Sequence, residues 1–346
     1  MILGESTLTL VGKNTDAKAI SVIGAGSWGS ALAIQLANNS RKVNLYCRSK
    51  NCFKEMVDNR TNSRYLPNIV LPENINIFSN IEDSVRDANT VIVALPSETV
   101  RDTFLQLKKT INSQAGISWA SKGLEVKSGL LIHSVCEEIL GKRHPMAVIS
   151  GPSFAVEVAN KKPTAVTIAS SSKNFRNQLA EDLSDQNFRV YTSDDIIGAE
   201  IGGAIKNIIA IGAGISDGLN YGENAKIALI TRGLHEIQKL GVALGAKKET
   251  FSGLSGAGDL FLTCTSNLSR NRRLGLALAD GSNLSEFESK TMQVVEGVKA
   301  SEAVHKLSKK MSISMPICEI IYQILFHQLD PKKAAIMLMS RDLQDE

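Results

Sequence analysis

Up to about residue 193 the apolar positions fall in short continuous runs, each closing on a glycine or polar turn; past residue 217 they recur at helical spacing. The runs AISVI, VNLY, NTVIVA, ISWA, MAVIS, TAVTIA and FRVYTS read as strands buried on both faces, which implies a mostly parallel sheet flanked by helices. Seven or eight strands are expected. AKIALITRGLHEIQKLGVALG and VKASEAVHKLSKKM read as amphipathic helices. The boundary falls near residues 192–200. It divides the chain into 1–197, with 1–19 as a leading extension, and a helical unit 198–346. A length of 346 residues suits two domains.

At the boundary lies GAEIGGAIKNIIAIGAGISDGLN, residues 198–220, in which Lys206 is the only charge between Glu200 and Asp217. A helix apolar on nearly every side is a buried one. Its lysine must snorkel out, find a structural partner, or hold its proton weakly through desolvation. Gly202, Gly203, Gly212 and Gly214 share the window. Each costs a helix interior about 1 kcal/mol relative to alanine, so another backbone or a ligand is expected to come close, with Gly202 and Gly203 clearing space beside the ammonium.

Between the first run and an apolar helix stand Gly24, Gly26 and Gly29, a GxGxxG. Placed between strand and helix, this pattern signals a dinucleotide whose pyrophosphate rests on the helix N-terminus. The second run ends in Arg48 and Ser49, where a carboxylate would grip the ribose diol of NAD. A guanidinium and a hydroxyl suit a 2′-phosphate, which favours NADP(H) with NAD(H) still possible; the plainer alternative is a solvated arginine. Lys122 follows the ISWA run and is placed at the crevice beyond the strand ends.

In the helical part Asp259 opens an apolar run, and Ser269, Arg270, Asn271, Arg272 and Arg273 are clustered. Helix capping accounts for Asp259, and the cluster reads as a cap, an oxyanion cradle or a solvated face. Glu296 also passes as a capping residue.

Composition narrows the chemistry. A net charge of +4 and a pI near 8.7 permit an anionic substrate. There is no dense basic tract interleaved with aromatics, so nucleic acid is not expected as a partner. Cys47, Cys52, Cys136, Cys264 and Cys318 lack metal or redox spacing, and the histidines are scattered. Reduced thiols in a cytoplasm and no metal are therefore expected. No leader-like segment is seen in residues 1–19, and no membrane insertion is expected.

Taken together, GAGSWG, WASKGLE, SGPSFA, IGGAIKN, GAGDL and SRNRRLG, with QVVEG behind them, resemble NAD(P)-dependent glycerol-3-phosphate dehydrogenase of the bacterial type from about Ile20 onward. The resemblance implies an α/β Rossmann-type N-terminal domain and an all-α C-terminal domain similar to that of 6-phosphogluconate dehydrogenase. The implied reaction interconverts dihydroxyacetone phosphate and sn-glycerol 3-phosphate and supplies phospholipid synthesis. Lys206 takes the place of the family's acid/base, and Lys122 resembles a lysine touching both cofactor and substrate. Gly151, Ser153, Asp259, Ser269, Arg270 and Asn271 match substrate positions, as Thr263 does in eukaryotic relatives. Ser27, Trp28, Arg48, Ala155, Arg270, Val294 and Glu296 match cofactor positions. A homodimer is implied as well. The extension of residues 1–19 departs from the pattern.

Reducing a ketone needs a proton donor near the operating pH and positive charge where the alkoxide forms. Lys206 is expected to answer both needs, its pKa lowered by desolvation and by Lys122 and opposed by Asp259 if that lies close, with Asp259 as an orienting acceptor for the ammonium or for a substrate hydroxyl. Arg270 and Asn271 are expected to anchor the phosphate. Two other readings are weighed. A 3-hydroxy-acid dehydrogenase of the 6-phosphogluconate type would need a carboxylate pocket, and a non-catalytic NADP sensor would lack a converging lysine and aspartate.

Overall fold

The computed structural model describes residues 19–291 and 295–340. The N-terminal half runs β1 (Ala19–Ile23), α1 (Ser27–Asn38), β2 (Val43–Tyr46), α2 (Lys50–Asn59), a hairpin of β3 (Thr61–Asn62) and β4 (Leu66–Val70), β5 (Ile75–Phe78), α3 (Ile81–Val85), β6 (Ala88–Val93), α4 (Val100–Leu107), β7 (Gly116–Trp119), α5 (Ile132–Leu140), β8 (Met146–Ser150), α6 (Ala155–Ala159), β9 (Thr164–Ala169), α7 (Lys173–Leu183) and β10 (Phe188–Ser193). Eight strands make one sheet in the order β10-β9-β8-β7-β6-β1-β2-β5. Neighbours are parallel except β8 and β9. The order reverses between β1 and β6, the switch point at which open α/β sheets bind nucleotides.

Alternate residues of each strand serve opposite faces. Val22, Ile92 and Ile149 pack with Leu32 and Leu36 of α1 and Leu179 of α7. Ile23, Val93 and Val148 pack with Phe104 of α4 and Val135 of α5. Covering both faces explains why the strands read as continuous apolar runs. β5 and the hairpin are not among the continuous apolar runs. They form because β5 needs only one fully buried residue, Ile75, to hold the edge beside β2.

The C-terminal half is helical: α8 (Ile196–Gly218), α9 (Gly222–Ala243), α10 (Asp259–Thr265), α11 (Arg270–Ala279), α12 (Leu284–Thr291), α13 (Glu296–Lys310), α14 (Pro316–His327) and α15 (Pro331–Met339). α8 is its axis, buried without interruption from Gly198 to Ser216. Asp195 caps it, accepting from the Gly198 amide at 2.9 Å and from the Lys247 amide at 2.9 Å. Length and composition would let α8 pass for a membrane span, yet 89% of its most apolar window is buried inside the fold. Its apolar surface is matched by other helices.

The glycines of α8 make that match possible. A Cβ at Gly214 would stand 2.0 Å from the Arg272 carbonyl oxygen and 3.0 Å from Gly275 Cα of α11. At Gly202 it would stand 2.3 Å from the Ser255 carbonyl oxygen. Gly202 therefore admits a neighbouring backbone and does not clear space for the ammonium, as the spacing had suggested. Gly203 does face the lysine chemistry, with Ser150 Oγ at 3.2 Å and Lys122 Cγ at 3.7 Å from its Cβ position.

Gly214→Ala is expected to push α11 off α8 and cost about 1–3 kcal/mol, the usual range for overpacking. Gly26→Ala is the control: its Cβ meets nothing within 4 Å, at a φ of −73°. Denaturant unfolding without cofactor should show a lowered midpoint for the first variant and an unchanged one for the second. A Gly214→Ala protein as stable as the native one would mean that the two backbones are not in contact.

Candidate active site

The ends of β1, β6 and β7 are tied into one rim. Gly24, at a φ of +114°, turns the chain out of β1, and a Cβ there would lie 2.6 Å from the Ala94 carbonyl oxygen. Gly29 lets α1 lie on that turn, since its own Cβ would fall 1.9 Å from the Gly24 carbonyl oxygen. Ser121 donates to the Leu95 carbonyl at 2.5 Å, and Gly123 packs against Ser97. The glycine turn and the Lys122 loop thus share one crevice. The first turn of α1 has Gly26 as N-cap and no side-chain cap. Its amides, beside half-open Gly26, Ser27 and Trp28, fit the pyrophosphate of a dinucleotide. Asn62, fully buried, locks the turn by donating to the Ala25 carbonyl and to Ser30 Oγ, both at 2.9 Å. It lies in the hairpin and carries no motif that would have marked it.

Arg48 and Ser49 are exposed just beyond β2. Ser49 caps α2 by accepting from the Cys52 amide at 3.4 Å. Ala155 opens α6.

Across the crevice, Lys206 and Lys122 converge on one carboxylate. Asp259 Oδ2 accepts from Lys122 Nζ at 2.7 Å, and Oδ1 accepts from Lys206 Nζ. Thr263 Oγ1 also accepts from Lys206 Nζ at 3.0 Å and donates to the Asp259 carbonyl at 2.6 Å. Side-chain exposure is 16% for Lys122, 6% for Lys206 and 1% for Asp259. Asp259 is the first residue of α10 and its carboxylate does not cap that helix. Its carboxylate is taken up by the two ammoniums instead.

Two ammoniums on one carboxylate titrate unequally. Burial pushes Lys206 down, Asp259 opposes this, and the Lys122 charge adds to it; the outcome is a pKa lowered to about 7. Burial also acts against the charged form of Lys122, but the attraction of Asp259 prevails and holds it above the ordinary lysine value. Asp259 itself resists burial because both ammoniums draw its carboxyl below the usual range. The site keeps a surplus positive charge out of water.

The remaining predicted residues that the structure describes come from the starts of α11 and α13 and from the turn after β8. Ser269 caps α11, accepting from the Arg272 amide at 3.2 Å, and Arg270 follows it, exposed, at the first helical position. Asn271 is buried; it donates to Asn207 Oδ1 at 2.9 Å and accepts from the Gly297 amide at 2.9 Å. Both ends of its amide thus join α8, α11 and α13. Asn207 in turn donates to Glu296 Oε2 at 3.4 Å. Asn207 ends the IGGAIKN segment; its signal is a second polar residue inside an apolar helix, directly after the lysine. Gly151 is buried after β8, and Ser153 Oγ donates to the Gly151 carbonyl at 3.0 Å. Ser150 Oγ is buried without a protein partner. Arg272 stands apart from the substrate side and pairs with Asp217 at 2.5 Å. Val294 lies outside the described residues. Among those described, no three His, Cys, Asp or Glu side chains are gathered as a metal ion would need.

Both halves of the chain are similar to known proteins. Residues 19–176 match the family model for the N-terminus of NAD-dependent glycerol-3-phosphate dehydrogenase, and residues 195–336 match the model for its C-terminus. The chain is 46% identical over 332 residues to glycerol-3-phosphate dehydrogenase (NAD(P)+) of Aeromonas hydrophila, covering 96% of this chain and 99% of that one. The enzyme of Bartonella tribocorum is also 46% identical, over 95% of this chain and 98% of its own. A crystal structure of glycerol-3-phosphate dehydrogenase from Coxiella burnetii superposes with a TM-score of 0.91 at 44% identity, covering 94% of this chain and 99% of that one. With both halves matched and the likeness spanning nearly the whole chain, the protein belongs to the NAD(P)-dependent glycerol-3-phosphate dehydrogenase family and interconverts dihydroxyacetone phosphate and sn-glycerol 3-phosphate.

Proposed function

We propose that Lys206 gives the proton when dihydroxyacetone phosphate is reduced and takes it back when sn-glycerol 3-phosphate is oxidised. The observation that carries this reading is the pair of buried lysines sharing Asp259, one holding its proton loosely and the other firmly. Lys206 lies in the range where a group serves as both acid and base near neutrality. Lys122 stays cationic and offsets the negative charge that develops on the C2 oxygen. Asp259 and Thr263 orient the Lys206 ammonium. Arg270 anchors the substrate phosphate, with Gly151, Ser153, Ser269 and Asn271 shaping the pocket around it.

Bound NAD(P)H supplies the hydride. Gly24, Gly26, Ser27, Trp28 and Gly29 hold its pyrophosphate, and Arg48 with Ser49 favours the 2′-phosphate of NADP(H) over the bare diol of NAD(H). Lys122, Ala155, Arg270, Val294 and Glu296 complete the cofactor side. Residues 1–197 serve as the cofactor half and 198–346 as the substrate half. In the cell the enzyme works as a cytoplasmic homodimer feeding glycerophospholipid synthesis.

Lys206→Met should fold and bind NADPH while losing about 10²- to 10⁴-fold in turnover, the range for a general acid. In the native enzyme, kcat/KM for glycerol 3-phosphate oxidation should rise with pH through about 7 as Lys206 becomes neutral. In ketone reduction it should fall above the same value. A loss below about tenfold would move the role to another group, Lys122 first.

Arg270→Ala should lower kcat/KM for dihydroxyacetone phosphate about tenfold to a few hundredfold, since a charge-assisted contact is worth roughly 1.5–3 kcal/mol. Unphosphorylated dihydroxyacetone, assayed at saturating NADPH, should be hardly affected. Equal losses on both substrates would assign Arg270 to the cofactor or the fold.

Arg48→Asp should weaken NADPH far more than NADH in direct binding titrations. Equal weakening would leave Arg48 as a general contact on the adenine side.

A further inference from the structure

Away from the lysine pair, a second buried carboxylate has no part in the chemistry above. Glu200 is 4% exposed and sits on α8, about 9 Å along the axis before Lys206 at 1.5 Å per residue. Its Oε1 accepts from Trp119 Nε1 at 3.0 Å and from the His133 amide at 2.9 Å, and its Oε2 meets His133 Nδ1 at 2.6 Å. Trp119 is the last residue of β7, three positions before Lys122. Its ring is fully buried, edge-on to Phe104 at 6.3 Å. His133 lies in the first turn of α5 and meets Ser134 Oγ through Nε2 at 3.1 Å. Burial pushes the His133 imidazole down, but its contact with Glu200 outweighs this and raises its pKa.

A buried carboxylate is costly unless donors surround it, and apolar packing would have sufficed merely to hold α8 against β7. Directional hydrogen bonds do something that apolar contact does not: they fix position along and around the helix axis. We infer that Glu200 is a positioning residue that bolts β7 and α5 to α8, and so sets the separation of the Lys122 and Lys206 ammoniums across Asp259. This inference rests on the reading of Lys206 as the acid/base.

Lys206 is faced by Lys122 from the loop after β7 and by Asp259 and Thr263 from α10, while Glu296 at the start of α13 acts on Lys122. Loosening the bolt lets the Lys122 loop drift from α8. The like-charge repulsion on Lys206 then falls, and its proton is held more firmly.

The test is the pH dependence of kcat/KM for glycerol 3-phosphate oxidation in Glu200→Gln and Trp119→Phe, with NADPH affinity and the unfolding midpoint measured alongside. Glu200→Gln should move the rising limb upward by about half to one pH unit. The rate at pH 7 should then be about two- to fivefold below native, with the high-pH plateau and NADPH affinity kept. Trp119→Phe, which removes one donor and keeps the carboxylate, should give a smaller shift of the same sign. A lowered unfolding midpoint with an unmoved pH profile in Glu200→Gln would overturn the inference and leave Glu200 a structural group. Should Glu200→Gln not fold, an unmoved profile in Trp119→Phe would overturn it equally. Lys206→Met is run in parallel: if it keeps the native profile, the acid/base assignment itself fails, whatever the other variants do.

Discussion

Two ammoniums held out of water by a single carboxylate are the constraint from which the rest of the site follows. Lys122 arrives from a strand of the sheet, Lys206 from the central helix and Asp259 from the start of α10, so three elements from both halves of the chain must agree on one point. Removing Asp259 would leave two ammoniums uncompensated, a loss of several kcal/mol. The arrangement is also unbalanced by design of its own stoichiometry. A surplus positive charge in a water-poor crevice is best satisfied by an anion.

That agreement needs the helical half to stand close against the sheet. α8 achieves this through missing side chains: neighbouring carbonyls at Ser255 and Arg272 come to where a Cβ would be. The network of Asn207, Asn271 and the Gly297 amide then sets the start of α11 and α13 relative to the lysine. Rigid backbone contact therefore fixes the helical wall of the crevice, while Asn62 ties down the glycine turn after β1 on the sheet wall.

Much of this was legible because local chemistry carried it. GxGxxG between strand and helix has one economical explanation, and a lone lysine in an apolar helix is conspicuous. Lys122 could be placed from the rule that ligands lie beyond strand ends. The partner of Lys206 was harder, because Asp259 is 53 positions away and looks locally like a cap. Gly202 was misread for a related reason: periodicity shows which face a residue occupies but not which backbone will lean on it. β5 escaped notice because an edge strand needs few buried residues. Asn62 had no signal at all, since a polar residue buried by distant segments looks from sequence like any exposed one; Glu200 had the same signal as Asn207, a polar residue inside an apolar helix. The likeness to a known family supplied roles for Arg270 and Ser153 that spacing alone left open.

The burial of α8 has a bearing on how the molecule comes to exist. Its matching surface on α11 and α13 lies tens of residues further along the chain, so during synthesis an exposed, membrane-like helix precedes the segments that cover it. The sheet can close early around its own contacts, but α8 must wait, and an apolar helix in waiting is open to aggregation or to capture by chaperones and insertion machinery. The charges in its interior, Glu200 and Lys206, bear on that stage: an unpaired carboxylate and an unpaired ammonium within the segment make entry into a bilayer costly. Two residues that the finished fold buries and pairs would thus first help keep the nascent chain in water.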